Sequence, residues 1–152
     1  METMKLALRW MVIGMAIVIN ADDALANSPC RLSSADLQAA TGRTFNEGEV
    51  TITATGISMC VYTEKDKPKR RVTLEVSSDN AEKQFESKMR LLQLGKKSIV
   101  LPGVGDKAYF NGTAAGVLKG DTFFSWGQLR RSSEPELKPE NVIALLSKTI
   151  SE

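Results

Sequence analysis

Histidine is missing from all 152 residues. Its absence removes the commonest general base near neutral pH and the commonest metal ligand. Cysteine occurs only as Cys30 and Cys60. If those two sulfurs are joined, Ser-His-Asp, Cys-His and zinc sites are all excluded, so no catalytic nucleophile of those kinds and no metal is expected. Long apolar runs are missing too: Trp10 to Ile19 is about ten residues, against the roughly 20 a bilayer span requires. A dominant charge is also lacking. The formal net charge is +2, which favours solubility and slightly favours anionic surfaces but is no nucleic-acid signature.

Residues 1–26 read as a signal peptide. Lys5 and Arg9 form a short cationic start, Trp10 to Ile19 is the apolar segment, and Ala24-Leu25-Ala26 is a small-x-small cleavage site. Cys30 follows Ser28-Pro29, whereas a lipobox wants small residues directly before its cysteine. Residues 27–152 are expected to form a single domain, periplasmic or secreted, with no stable membrane span once the leader is cleaved. Setting the leader aside removes Lys5 and Arg9 with Glu2, Asp22 and Asp23, so the charge moves only from +2 to +3. Export places both cysteines in an oxidising compartment, where a Cys30–Cys60 disulfide is expected. Closing a loop of about thirty residues stabilises by roughly 3.6 kcal/mol in the chain-entropy treatment. The spacing is not C-x-x-C, so the bond reads as a staple and not a redox pair.

Three helices and two β-rich stretches emerge from pattern. Ser33 is a good N-cap with Asp36 at N3, Leu32 and Leu37 form a hydrophobic staple, and the helix from Ser34 should stop at Gly42. Val50, Ile52 and Ala54 alternate with polar residues, as do Val72, Leu74 and Val76, with Met59 to Thr63 between them. These are three strands of a meander, each with one face buried. A capping-box-like Asp79 and Glu82 open a second helix, with Ala81, Phe85, Met89 and Leu92 on its stripe and Gly95 as its stop. Short extended character at Ile99 to Leu101 precedes strands at Lys107 to Asn111, Ala115 to Leu118 and Thr122 to Trp126. Large residues on both faces there (Tyr109 with Phe110, Phe123 with Phe124) predict a second sheet face that is partly covered, or a surface awaiting a partner. Arg130 to Lys138 reads as a loop within the domain, and Pro139 as the first residue of a helix with Val142, Ile143, Leu146 and Ile150 facing inward. The expected fold is α+β: an antiparallel sheet of about six strands with helices mainly on one face, in the order α-βββ-α-βββ-α.

Gly103-Val-Gly105-Asp-Lys-Ala108 fits the G-x-G-x-x-[GA] dinucleotide fingerprint. That site needs a helix directly after its glycines, yet strand character and Asn111-Gly112 come next. Leu101-Pro102-Gly103-Val104 instead suits a type II turn, so no nucleotide or other cofactor is expected. Here the chain resembles a class of small exported bacterial proteins of uncharacterised function that includes many actinobacterial lipoproteins. The class typically shows C-x-L, C-x-Y and P-G-[LV]-G-D-x-A-Y. The matching features are Cys30-Arg-Leu, Cys60-Val-Tyr, Val72 to Val76, Leu101-Pro-Gly-Val-Gly-Asp-Lys-Ala-Tyr and Lys119-Gly-Asp-Thr-Phe. They span most of the chain after the leader, and the glycine corner is the specific part. The resemblance implies an envelope location, a disulfide and an α+β fold, and carries over no catalytic residues. The chain departs from the class in lacking a lipobox.

Two surfaces are candidates for binding. Glu64 to Arg71 concentrates Lys65, Lys67, Lys69, Arg70 and Arg71 at a hairpin turn, a site suited to an envelope protein or an anionic surface. Tyr109, Phe124 and Trp126 are expected to pack in the core, or else to line a ligand or partner groove. Asp106, Asp121 and Glu75 carry carboxylates, but no spacing brings two of them together, and Asp in turns is ordinary turn chemistry. The reading is a non-catalytic binding or accessory module of the bacterial envelope, and its rival is a carboxylate-based envelope hydrolase.

Overall fold

The computed structural model describes residues 28–93 and 99–151. The predicted leader and the predicted helix stop at Gly95 lie outside the described residues. Helix α1 (Ser34–Thr41) opens with the expected capping box. The Asp36 backbone N–H donates to Ser33 Oγ, and the Ser33 N–H donates to the Asp36 carboxylate, so orphan donors at the first turn are satisfied. It ends at Gly42, whose φ of 73° is left-handed.

Seven antiparallel strands come next, in two meanders: β1 (Glu49–Ile52), β2 (Ser58–Glu64) and β3 (Lys67–Ser77), then, after helix α2 (Ala81–Gln93), β4 (Ile99–Val100), β5 (Lys107–Phe110), β6 (Ala115–Lys119) and β7 (Thr122–Gly127). Helix α3 (Pro139–Ser151) closes the chain. The sheet order is β1-β2-β3-β7-β6-β5-β4. The two meanders meet at the β3–β7 pair, where Leu74 lies opposite Trp126 and Val76 opposite Phe124. The extended run at Ile99 pairs with Phe110 and so counts as a strand. Among the described residues the order is therefore α-βββ-α-ββββ-α with seven strands, against an expectation of about six.

Strand alternation sorts the side chains onto two faces. One carries Tyr62, Val72, Leu74, Ala108, Phe110, Val117, Phe124 and Trp126, with Leu37 of α1 and Val142, Leu145 and Leu146 of α3 in the same core. The other carries Tyr109, Leu118 and Phe123 beneath Ala81 and Phe85 of α2. Two helices thus lie on one face and the third on the other, which explains the double-sided apolar pattern of the later strands. It also explains why a helix followed by three strands, seen twice in sequence, is no structural repeat: α1 and α2 sit on opposite faces. Phe85 meets Tyr109 and Phe123 edge-on, with centroids 5.5 and 5.6 Å apart. The start of α2 is held by Gln84, whose amide donates to Ser77 Oγ and Asp79 O at 2.7 Å each. Glu82, predicted to cap, instead pairs with Lys107 at 2.7 Å.

Two expectations need correction. Strand β1 alternates but buries neither face: Val50 is 53% and Ile52 71% exposed, because it is the sheet edge and pairs only with β2. It also ends at Ile52, before Ala54. In α3 the inward side is rotated from the predicted stripe. Leu145 and Thr149 are buried beside Val142 and Leu146, while Ile143 and Ile150 are only partly covered. A threonine faces the core because Trp126 Nε1–H donates to Thr149 Oγ1 at 3.1 Å, and that hydroxyl donates to Leu145 O at 2.8 Å.

Candidate functional site

The glycine corner is a packed turn. Gly103 has φ of 76°, as the second central position of a type II turn requires. The chain leaves Gly105 into β5, with no helix to hold a pyrophosphate. Gly105 lies so close to β6 that a Cβ there would sit 2.6 Å from Leu118 O and 2.6 Å from Val117 Cγ2. Asp106 completes the corner: its N–H donates to Leu118 O at 2.8 Å, and its carboxylate accepts from Gly120 N–H at 2.6 Å in the β6–β7 turn. The corner's polar groups are used for structure.

The predicted disulfide joins Cys30 to Cys60, with Cα atoms 4.9 Å apart. It ties the segment before α1 onto β2, and beside it Tyr62 donates its hydroxyl proton to Leu32 O at 2.7 Å. Tyr109, Phe124 and Trp126 are placed apart. All three are buried, Tyr109 beneath α2 and the other two on the opposite face. They line no common groove.

What the fold does assemble is a cleft of about 550 Å³ between the end of α1, the β2–β3 hairpin, the loop after β7 and the start of α3. Four of its charged groups, each from a different element, form an ion-pair network. The left-handed Gly42 turns the chain out of α1, and Arg43 then reaches across the ring of Phe45, 5.2 Å from its centroid. Glu64 ends β2 and is only 6% exposed. Arg70 lies on β3, on the same face as Val72 and Leu74. Gln128, with φ of 58°, bends the chain after β7, and Glu134 lies in the loop beyond it.

Arg43 is the hub. Its Nη1 is 3.3 Å from Glu64 Oε2 and 3.6 Å from Glu134 Oε1, and its Nη2 donates to Leu129 O at 2.6 Å. Arg70 Nη1 donates to Glu134 Oε1 at 2.8 Å. The other Glu134 oxygen accepts from Arg131 N–H at 2.9 Å. Arg130 closes the loop on itself, its Nε donating to Glu134 O and Pro135 O, each at 2.9 Å. Burial alone would raise the Glu134 pKa. The Arg131 N–H and the charges of Arg43, Arg70 and Arg131 outweigh it and hold the carboxyl below the usual range.

Comparison with protein-family models, with curated proteins and with solved structures finds no match. The site is therefore read from its own chemistry. Five cations (Arg43, Lys67, Arg70, Arg130, Lys138) and three carboxylates (Glu64, Glu134, Glu136) line the cleft, a surplus of two positive charges. The two most buried carboxylates, Glu64 and Glu134, both lie against arginines. Among the described residues no group of three His, Cys, Asp or Glu is placed to hold a metal ion.

The basic turn divides. Lys65 and Asp66 are the exposed two-residue tip, and Lys67, Lys69 and Arg71 are also exposed. Arg70 alternates inward and becomes part of the cleft wall. The tip does not stand clear of the body, because Thr44 to Asn46 runs alongside it: Lys65 N–H donates to Thr44 O at 3.0 Å, and Asn46 N–H to Thr63 O at 2.9 Å. Sequence reading found the hairpin but missed Arg43, Glu134 and the buried role of Glu64. Twenty-one residues separate Arg43 from Glu64 and sixty-four separate Arg70 from Glu134, so no local pattern links them. The one available signal was Glu64 itself, an acid ending an apolar alternation at the position due for burial.

Proposed function

We propose that this protein is an exported component of the bacterial envelope that binds an anionic partner and performs no bond-making chemistry. The observation that carries this reading is the balance of charge in the cleft: each buried carboxylate is paired with arginine, and a positive surplus remains along the cleft and the adjoining hairpin. A glycosidase-like acid needs a carboxyl whose pKa is raised. Glu134 is shifted the opposite way, which disfavours the hydrolase reading. The disulfide supports an oxidising compartment. No helix among the described residues is long and apolar enough to cross a membrane, so retention at the envelope would rest on the partner. The predicted leader and the resemblance to small exported proteins agree with this location.

The test is envelope retention. Lys67 and Lys69 changed to Glu, with Arg70 left intact to preserve the cleft wall, should release the protein from sedimented envelope fractions, as raised salt should release the wild type. Equal retention of both proteins at every salt concentration would end the proposal.

A further inference from the structure

The bonds inside the cleft leave specific donors unused, and these point to a class of ligand. Arg70 commits one N–H, through Nη1, to Glu134. A guanidinium offers five in a fixed fork that matches planar or tetrahedral oxyanions, and Nε and Nη2 have no partner among the described residues. Lys67 lies 3.7 Å from Glu64 Oε1, beyond hydrogen-bond length, and its side chain is 53% exposed. Lys138 lines the same cleft, directly precedes α3, and has no side-chain partner among the described residues. Leu137, only partly buried, supplies apolar wall beside these donors.

We infer that the cleft takes a phosphate monoester, its phosphoryl oxygens held by the free side of Arg70 together with Lys67 and Lys138, and its organic part against Leu137. Charge and geometry favour phosphate over carboxylate. A phosphate monoester carries close to two negative charges and three acceptor oxygens at neutral pH, equal to the cationic surplus and to the number of donor side chains. A carboxylate brings one charge and would leave a cation unmatched. The inference rests on the proposal that the partner is anionic and narrows it to one chemistry. The phosphate could be carried by a free sugar or glycerol ester, or stand as the headgroup of an anionic lipid.

The experiment titrates the intact, oxidised protein with glycerol 1-phosphate, citrate and chloride at constant ionic strength. In parallel the protein is added to phosphatidylcholine vesicles with and without phosphatidic acid. Saturable binding of glycerol 1-phosphate, weakened about tenfold by Lys138→Ala and by Lys67→Ala, is the expected result. Both side chains are surface groups, so the variants should melt with the wild type. Tighter binding to phosphatidic-acid vesicles would identify the lipid source, and tighter binding to the free ester the soluble one. Citrate binding as tightly as the ester would overturn the phosphate assignment and leave the anionic-partner proposal standing. So would the absence of ester and vesicle binding while envelope retention still depends on Lys67 and Lys69. Retention that does not depend on Lys67 and Lys69 either would remove both.

Discussion

Replacing Gly105 by alanine separates two physical costs that the glycine corner combines. Gly105 has φ of 56°, and an alanine held in the left-handed region costs about 1–2 kcal/mol. Its Cβ would also press to 2.6 Å on Leu118 O and Val117 Cγ2. The valine methyl can move a little, but the carbonyl belongs to a central strand and already accepts from Asp106 N–H. Crowding of this kind costs about 1–3 kcal/mol more. The total is about 2–5 kcal/mol, a fall in Tm of roughly 6–20 °C for a domain of this size. Gly103 is the control. Its φ of 76° carries the same backbone cost, but nothing lies within 4 Å of its Cβ position, so Gly103→Ala should lose only about 1–2 kcal/mol. Thermal and urea melts of the two variants measure the difference. If Gly105→Ala is no less stable than Gly103→Ala, the corner is not seated on β6 and the structural reading of the motif is wrong.

Removing the hub of the ion-pair network should cost more than removing its rim. Arg43→Met leaves Glu64 and Glu134 buried without their shared guanidinium and should destabilise by about 3–5 kcal/mol, whereas Lys67→Met should change stability by less than about 1 kcal/mol. Equal urea midpoints would show that the network is not formed. Cys30→Ala with Cys60→Ala should cost roughly 3–4 kcal/mol, and reductant should lower the wild-type midpoint by a similar amount; a midpoint indifferent to reductant would show that the sulfurs are not joined. Burial pushes the Tyr62 pKa up to about 12 and raises that of Tyr109 as well. Both native values lie above those of the unfolded chain. Their contribution is therefore complete below about pH 10 and is lost as pH rises through the native values. Tyrosinate absorbance should appear together with unfolding in alkali, and a tyrosine titrating near pH 10 in still-folded protein would contradict the buried placement.

The framework was legible wherever chemistry is local. Ser33, Asp36 and Gly42 announce α1 because caps act within one turn, and Pro102-Gly103 announces the corner because the backbone geometry is written in those residues. Doubled aromatics at Tyr109-Phe110 and Phe123-Phe124 left open a partly covered second face or a surface awaiting a partner, and α2 supplies the cover. Strand β1 misled, because alternation records which side chains are apolar and not whether anything lies over an edge strand. The cleft was least legible. Its parts come from the exit of α1, the end of β2, the middle of β3 and the loop after β7, brought together by the run of Thr44 to Asn46 along the hairpin and by the β3–β7 pairing. Hairpin cations that read as one cluster are divided by strand alternation, with Arg70 inside and Lys69 and Arg71 outside.

A carbon-detected NMR titration of the Glu134 carboxyl reaches the claim that the cleft binds and does not catalyse. Its native pKa is depressed, so its contribution to stability is present above the unfolded value of about 4.3 and is lost as pH falls through the native one. A midpoint below that of an ordinary glutamate, restored to normal when Arg43 and Arg70 are both replaced, is the predicted result. A midpoint above the ordinary value would mark a carboxyl held ready to donate a proton, and the cleft would have to be read as an acid–base site.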